Sequence, residues 1–133
     1  MANLLALDVG TKRIGVAAAD SSLPIAIALT TIDVSGGEVD AITKLITDRS
    51  IDTVIIGYPR NQSGEPTEQT ALSEAFAAQL MTTANVVFQD ESLTSVMAEQ
   101  RLKASGKPYQ KADIDAMAAA IILQDYLEAH HAA

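Results

Sequence analysis

The chain has 133 residues and a mass of 14.0 kDa, which leaves room for one domain. Hydrophobic residues make up 48% and charged residues 20%, with a mean hydropathy of +0.16, and this composition excludes a disordered chain. The apolar runs are too short for a bilayer span, which needs about 20 residues, and the absence of cysteine excludes disulfides and Cys-based zinc sites. We therefore expect a single cytoplasmic domain over residues 1–133, without a signal peptide at its start.

The pattern of apolar residues predicts an α/β fold of five strands and four helices in the order βββαβαβαα. The predicted strands are 3–9, 14–19, 25–34, 53–56 and 85–90. The predicted helices are 38–49, 67–83, 93–105 and 113–130. A short Gly-containing connection, residues 10–13, links the first two strands and indicates a hairpin, and the first three strands should form an antiparallel unit. The last two strands alternate with helices and should pair in parallel. We expect one mixed five-stranded sheet flanked by helices, with ligands bound beyond the carboxyl ends of its strands.

Acidic residues occupy three positions that such a fold can bring to one edge of the sheet. Asp8 interrupts an apolar strand, where an isolated charge is costly unless it is paired or metal-bound. Asp90 and Glu91 end the last strand, and Asp113 and Asp115 begin the last helix. Each position also has an ordinary alternative, since Asp8 could cap the following turn and the others could complement a helix dipole. Neighbours on a strand point to opposite faces, and residues two apart on a helix are rotated by about 200°, so one member of each pair should face a given site.

Carboxylates from these three positions would repel one another unless a divalent cation neutralised them. Oxygen ligands, with neither Cys nor a nearby His, favour Mg²⁺ or Mn²⁺. Two such ions about 3.5–4 Å apart would activate water and stabilise the leaving oxygen in phosphodiester hydrolysis.

The chain carries four motifs that together span nearly its whole length. They are LDVGTKRIGVA at 7–17; IIGYPRN at 55–61 with Gly64; DE at 90–91 followed by LT at 93–94; and KADID at 111–115 followed by AA, ILQ and YL between 118 and 127. In the same order, they resemble the motifs of the RuvX/YqgF family, the Holliday junction resolvases and pre-16S rRNA nucleases. The resemblance implies an RNase H-like fold.

The resemblance also implies a nuclease with a metal-binding acidic triad. Matched motif by motif, the triad falls on Asp8, Glu91 and Asp115, with Asp113 as a neighbour. It implies a bacterial cytoplasmic protein that matures the 5′ end of 16S rRNA, with branched DNA as the alternative substrate. One position departs from the family pattern, because Ser92 stands where an Arg usually follows the Asp-Glu pair. The missing basic group should affect activity more than the fold.

The charge distribution qualifies this picture. The net charge of −8, from 9 basic and 17 acidic residues, argues against nucleic acid when taken over the whole chain. However, the window 101–112 holds four basic residues and no acidic one, and it immediately precedes the last acidic motif. An ordinary solvated surface is the alternative explanation. The residues that we expect to contact nucleic acid are Lys12, Arg13, Arg60, Asn61, Arg101, Lys103, Lys107 and Lys111.

Two other functions stay open at this point. The segment Asp8-Val9-Gly10-Thr11 also resembles the phosphate-binding hairpin of actin-like ATPases and sugar kinases, although those need two such domains and this chain provides one. A non-catalytic RNA-binding or ribosome-assembly factor would suit the acidic composition and Ser92, whereas the intact acidic triad argues against it. Either a monomer or a homodimer is compatible with the sequence.

Overall fold

The computed structural model, which describes residues 3–20, 22–59, 68–80, 84–91 and 94–131, has its elements in the predicted order. The strands are β1 (Asn3–Val9), β2 (Arg13–Asp20), β3 (Leu23–Asp33), β4 (Thr53–Pro59) and β5 (Asn85–Glu91). The helices are α1 (Glu38–Asp48), α2 (Glu68–Gln79), α3 (Thr94–Ala104) and α4 (Lys111–His131). None of these helices is long and apolar enough, over the residues described, to cross a bilayer.

The strands form one sheet in the order β3-β2-β1-β4-β5. β1 pairs antiparallel with β2, and β2 antiparallel with β3, as expected for strands joined by short turns. β4 pairs in parallel with both β1 and β5. The predicted mixed sheet is therefore confirmed. Because β1, β4 and β5 run in the same direction, their carboxyl ends meet at one edge, which we call the carboxyl edge.

Strand alternation divides the core between the two faces of the sheet. On one face, Leu5, Leu7 and Val9 of β1 pack in a cluster that includes residues of α1 and Phe76 of α2. On the other face, Leu4 and Ala6 pack with residues of α4. We call these the α2 face and the α4 face. Every second residue of a strand points to the same face, so the position of a residue along its strand tells whether it lies on the α2 face or the α4 face.

α4 is buried on two sides, whereas its sequence pattern predicted a single apolar face. Ala119 and Ile122 pack against the sheet, and Ala118 and Ile121 pack against Ala98 of α3. α4 therefore lies between the sheet and α3, which explains why its buried side chains surround so much of the helix.

β4 extends three residues beyond its predicted end at Ile56. The pattern Gly57-Tyr58-Pro59 suggested a stop, because Pro cannot donate a ladder hydrogen bond. The pairing with β1 does end at Ile56, while the pairing with β5 continues to Pro59 and Glu91. Over its last three residues β4 therefore has only one partner among the described strands, and a proline is tolerated there.

Candidate active site

Asp8 lies inside β1 and points to the α4 face. It has the same parity as Leu4 and Ala6, whose side chains pack against α4, and it is half-buried. The turn that follows is closed by the backbone N–H of Gly10, which donates to the carbonyl oxygen of Arg13 at 3.0 Å. The backbone therefore closes this turn with a hydrogen bond of its own.

The first turn of α4 presses on β2 directly beside Asp8. Gly15 pairs with Asp8 across the β1–β2 ladder, and paired residues lie on the same face of the sheet, so Gly15 also faces α4. A Cβ atom placed on Gly15 would overlap the carbonyl group of Asp115 and approach the backbone nitrogen of Ala116 to 2.9 Å. Neighbouring strands lie about 4.8 Å apart, so the backbone of Asp115 lies over the strand next to the one that carries Asp8.

Asp115 is held by an ion pair with Arg13. The Nε–H of Arg13 donates to Oδ2 of Asp115 at 2.5 Å, and the two side chains are 30% and 23% exposed. Arg13 lies two residues before Gly15 on β2, so both residues point to the α4 face. A residue predicted to contact nucleic acid therefore contacts a carboxylate predicted to bind metal.

Asp113 has a structural role of its own. Its Oδ2 accepts a hydrogen bond of 2.8 Å from the backbone N–H of Gln110, the residue before α4. An acidic side chain that reaches back from the third helical residue to the N-cap is one half of a capping box. The cap accounts for Asp113, whereas the backbone of Asp115 lies against Gly15, the ladder partner of Asp8.

Replacing Asp113 with Ala should lower the free energy of unfolding by about 1 kcal/mol, the usual effect of losing a helix cap. Urea unfolding followed by circular dichroism measures this. A loss well above 2 kcal/mol would contradict a role limited to capping.

The two acids at the end of β5 lie on different faces. Asp90 is in register with Tyr58, whose hydroxyl donates to Glu74 of α2 at 2.9 Å. Paired residues of parallel strands share a face, so Asp90 belongs to the α2 face, away from Asp8. Glu91 is the last residue of β5 and has the opposite parity; its side chain lies outside the described part of the structure.

The donors near the carboxyl edge suit a hard divalent cation. Asp8 and Asp115 offer carboxylate oxygens, the ligands that Mg²⁺ and Mn²⁺ prefer. Within the described residues, which do not include the Glu91 side chain, no three Asp, Glu, His or Cys side chains form a metal-binding group. The chemistry of these two carboxylates fits such a cation, and Asp8 and Asp115 remain predicted ligands together with Glu91.

The predicted basic residues separate into groups. Lys12 is exposed on the β1–β2 hairpin at the carboxyl edge. Lys103 is exposed in the last turn of α3, and Lys107 and Lys111 are exposed just before and at the start of α4. Arg60, Asn61 and Ser92 lie outside the described residues.

Arg101 acts on a different part of α4. Partial burial raises the pKa of Asp125, the Glu128 charge raises it further, and the Arg101 guanidinium opposes both. Asp125 is ten residues beyond Asp115, or about 15 Å along the helix. Arg101 is therefore directed toward a part of α4 remote from Asp115.

Comparison with known proteins identifies the family. The chain matches RuvX, described as Holliday junction resolvase, over residues 2–129. The chain belongs to the RuvX family. Its relatives include a protein of Chloroflexus aurantiacus, 45% identical over 132 residues that cover 95% of this chain and 86% of the relative. Another, from Bacillus subtilis, is 40% identical over 133 residues, covering 94% and 96%. Both relatives carry the name "Putative pre-16S rRNA nuclease".

Solved structures support the fold assignment. RuvC of Thermus thermophilus, solved in complex with a Holliday junction substrate, superposes with a TM-score of 0.61 at 15% identity, covering 98% of this chain and 96% of that one. The fowlpox virus resolvase, solved with Holliday junction DNA, gives a TM-score of 0.54 at 12% identity, with coverage of 96% and 97%. These similarities confirm the expected RNase H-like fold of the RuvX chain.

Proposed function

We propose that this RuvX chain is a divalent-metal-dependent nuclease that processes the 5′ end of pre-16S rRNA. The observation that carries the proposal is the contact between the Asp115 backbone and Gly15, the ladder partner of Asp8. It brings two carboxylates from opposite ends of the sequence to one face, at the edge where β5 ends with Glu91. The family membership and the names of the relatives support the same activity.

In this proposal the acidic and basic residues have separate roles. Asp8, Asp115 and Glu91 would hold the cation, and when bound it supplies an activated water and charge stabilisation at the leaving oxygen. Lys12 on the hairpin and Lys111 at the start of α4 hold the substrate by its phosphates, since ammonium groups bind phosphate as point charges. The five aromatic residues are scattered along the sequence, which favours recognition of the backbone and shape of the substrate over stacking on its bases.

A cleft beside the start of α4 is where we expect the substrate to approach the proposed site. It has a volume of about 540 Å³ and lies between β3 and α4, with Lys107 and Thr31 in its wall. Thr31 pairs with Gly15, so the cleft begins on the same cross-strand row as Asp8. The Thr31 hydroxyl donates to the carbonyl oxygen of Ala112 at 2.5 Å, which joins β3 to the base of α4.

The direct test is cleavage of two substrates by the full chain with Mg²⁺ or Mn²⁺ and with EDTA. A precursor RNA carrying the 5′ end of 16S rRNA should be cut only with the metal. A four-way DNA junction tests the second candidate substrate, which the name of the matched family favours. Binding of both substrates without cleavage of either would instead support the non-catalytic assembly factor, and cleavage in EDTA would overturn the metal-dependent proposal.

If the basic residues near α4 contact phosphates, replacing them should make nucleic-acid binding less dependent on salt concentration. Lys107→Gln and Lys111→Gln should each reduce the steepness of log K against log salt by about 0.7–0.9, the effect of one lost phosphate contact. The control is Lys44→Gln, because Lys44 lies on α1, over the α2 face, and faces Asp48 at 3.9 Å. Fluorescence anisotropy across a salt series measures all three variants, and equal effects of Lys44→Gln and Lys107→Gln would contradict the assignment.

A further inference from the structure

Asp115 is the proposed ligand of a cation and already has a cationic partner in Arg13. This ion pair is shorter and better shielded than the one between Lys44 and Asp48. Its atoms lie 2.5 Å apart with side chains 30% and 23% exposed, whereas Lys44 and Asp48 are 3.9 Å apart and 76% and 60% exposed. The Arg13 pair is thus a built contact between two elements rather than a chance surface encounter.

The two partners differ in their freedom to move. The backbone of Asp115 is fixed against β2, since its carbonyl group occupies the space where Gly15 lacks a Cβ. Arg13 carries a long side chain whose rotamers are accessible at 30% exposure. If the contact breaks, the guanidinium therefore moves away while the carboxylate stays in place.

Arg13 cannot leave Asp115 by losing its charge. A guanidinium stays protonated in proteins, so a divalent cation that binds Asp115 meets a fixed positive charge beside it. The cation carries twice the charge and coordinates the oxygen directly, whereas Arg13 contributes one charge-assisted hydrogen bond. The cation therefore has the advantage in a competition for this carboxylate.

We propose that Arg13 is a counter-ion that the metal displaces, and that the released guanidinium then binds a substrate phosphate. This inference rests on the proposed function. In the metal-free protein Arg13 offsets the charge of Asp115; once a cation takes that role, the guanidinium turns outward beside Lys12 on the hairpin. Its planar fork matches phosphate geometry, so metal binding switches on one phosphate contact at the carboxyl edge.

The exchange predicts effects of opposite sign on two ligands. Arg13→Gln removes the competitor and should tighten Mg²⁺ or Mn²⁺ binding about fivefold, the scale of a partly exposed ion pair. The same change removes a phosphate contact and should weaken nucleic-acid binding in the presence of metal. A purely structural role for Arg13 would weaken both. Lys12→Gln is the matched control: it removes the same charge one residue away, and should weaken nucleic-acid binding with little effect on the metal.

Three measurements on the full chain test the exchange. Calorimetric titration with Mn²⁺ or Mg²⁺ gives the metal affinity of the wild type, Arg13→Gln and Lys12→Gln. Anisotropy with a labelled DNA junction or RNA gives the nucleic-acid affinity with metal and with EDTA. The third measurement is the nuclear magnetic resonance signal of the Arg13 Nε–H, which should shift and lose protection as the metal titrates. The chain has four arginines, so Arg13→Lys identifies the signal and also shows whether charge without the fork suffices.

The outcomes separate this inference from the proposed function. Tighter metal binding with weaker nucleic-acid binding in Arg13→Gln, together with the Nε–H shift, is the expected result. If the wild type binds metal, and Asp8→Asn abolishes that binding, but Arg13→Gln leaves it unchanged or weakens it, the exchange is wrong while the metal site stands. If the wild type binds no divalent cation, the proposed function and the exchange both fail. Circular dichroism of each variant establishes that it is folded.

Discussion

Replacing Asp8 with Asn should abolish measurable cleavage of the precursor RNA or the DNA junction while leaving the chain folded. The substitution keeps the shape of the side chain but removes the charge that a divalent cation needs from its ligand. Changes one step removed from a metal commonly cost about 10- to 100-fold in affinity or activity, so the loss of a direct ligand should exceed that range. Single-turnover cleavage with saturating metal measures the effect.

Asp113→Asn provides the matched control for this prediction. It removes the same charge from the same region of the protein, but Asp113 caps α4 through its bond to Gln110. Cleavage should therefore survive in Asp113→Asn, with only a small loss of stability. Retention of full activity by Asp8→Asn, or an equal loss in both variants, would remove Asp8 from the proposed metal site.

Much of the fold could be predicted because its patterns are local. The short apolar run of β1 and the helical spacing in α1 indicate each element, and parallel or antiparallel pairing follows from what connects the strands. The same local logic singled out Asp8, a charge in an apolar strand. It also indicated that Asp113 and Asp115 face different directions, and the cap on Gln110 now assigns the first of them a role.

The contact between Arg13 and Asp115 could not be predicted, because it joins residues 102 positions apart. It depends on how closely the backbone of α4 approaches β2, which is a property of packing rather than of local pattern. A signal was present in β2, where Gly15 and Ala17 alternate with the larger Ile14 and Val16 and leave one face open to a helix. Parity would then have placed Arg13 on that face as well, beside the start of α4.

Replacing Gly15 with Ala should therefore have an effect far beyond the size of one methyl group. The new Cβ would collide with the backbone of Asp115 and Ala116, and backbone atoms cannot rotate away as a side chain can. Overpacking of a core costs about 1–3 kcal/mol and occasionally more, and a backbone clash belongs at the upper end of that range. We expect the free energy of unfolding, measured in urea, to fall by about 3 kcal/mol.

Function should suffer even where the variant folds. The clash is relieved by moving the first turn of α4 away from β2, and this movement separates Asp115 from Asp8. A misplacement of about 1 Å in a catalytic arrangement can cost on the order of 100-fold in rate, so folded Gly15→Ala should cleave poorly below its unfolding transition. Gly37→Ala is the control, because nothing lies within 4 Å of a Cβ at that position and only the N-cap of α1 is altered, at a cost below about 1 kcal/mol. If Gly15→Ala matched Gly37→Ala in both stability and cleavage, the close approach of α4 to β2 would not be what positions Asp115.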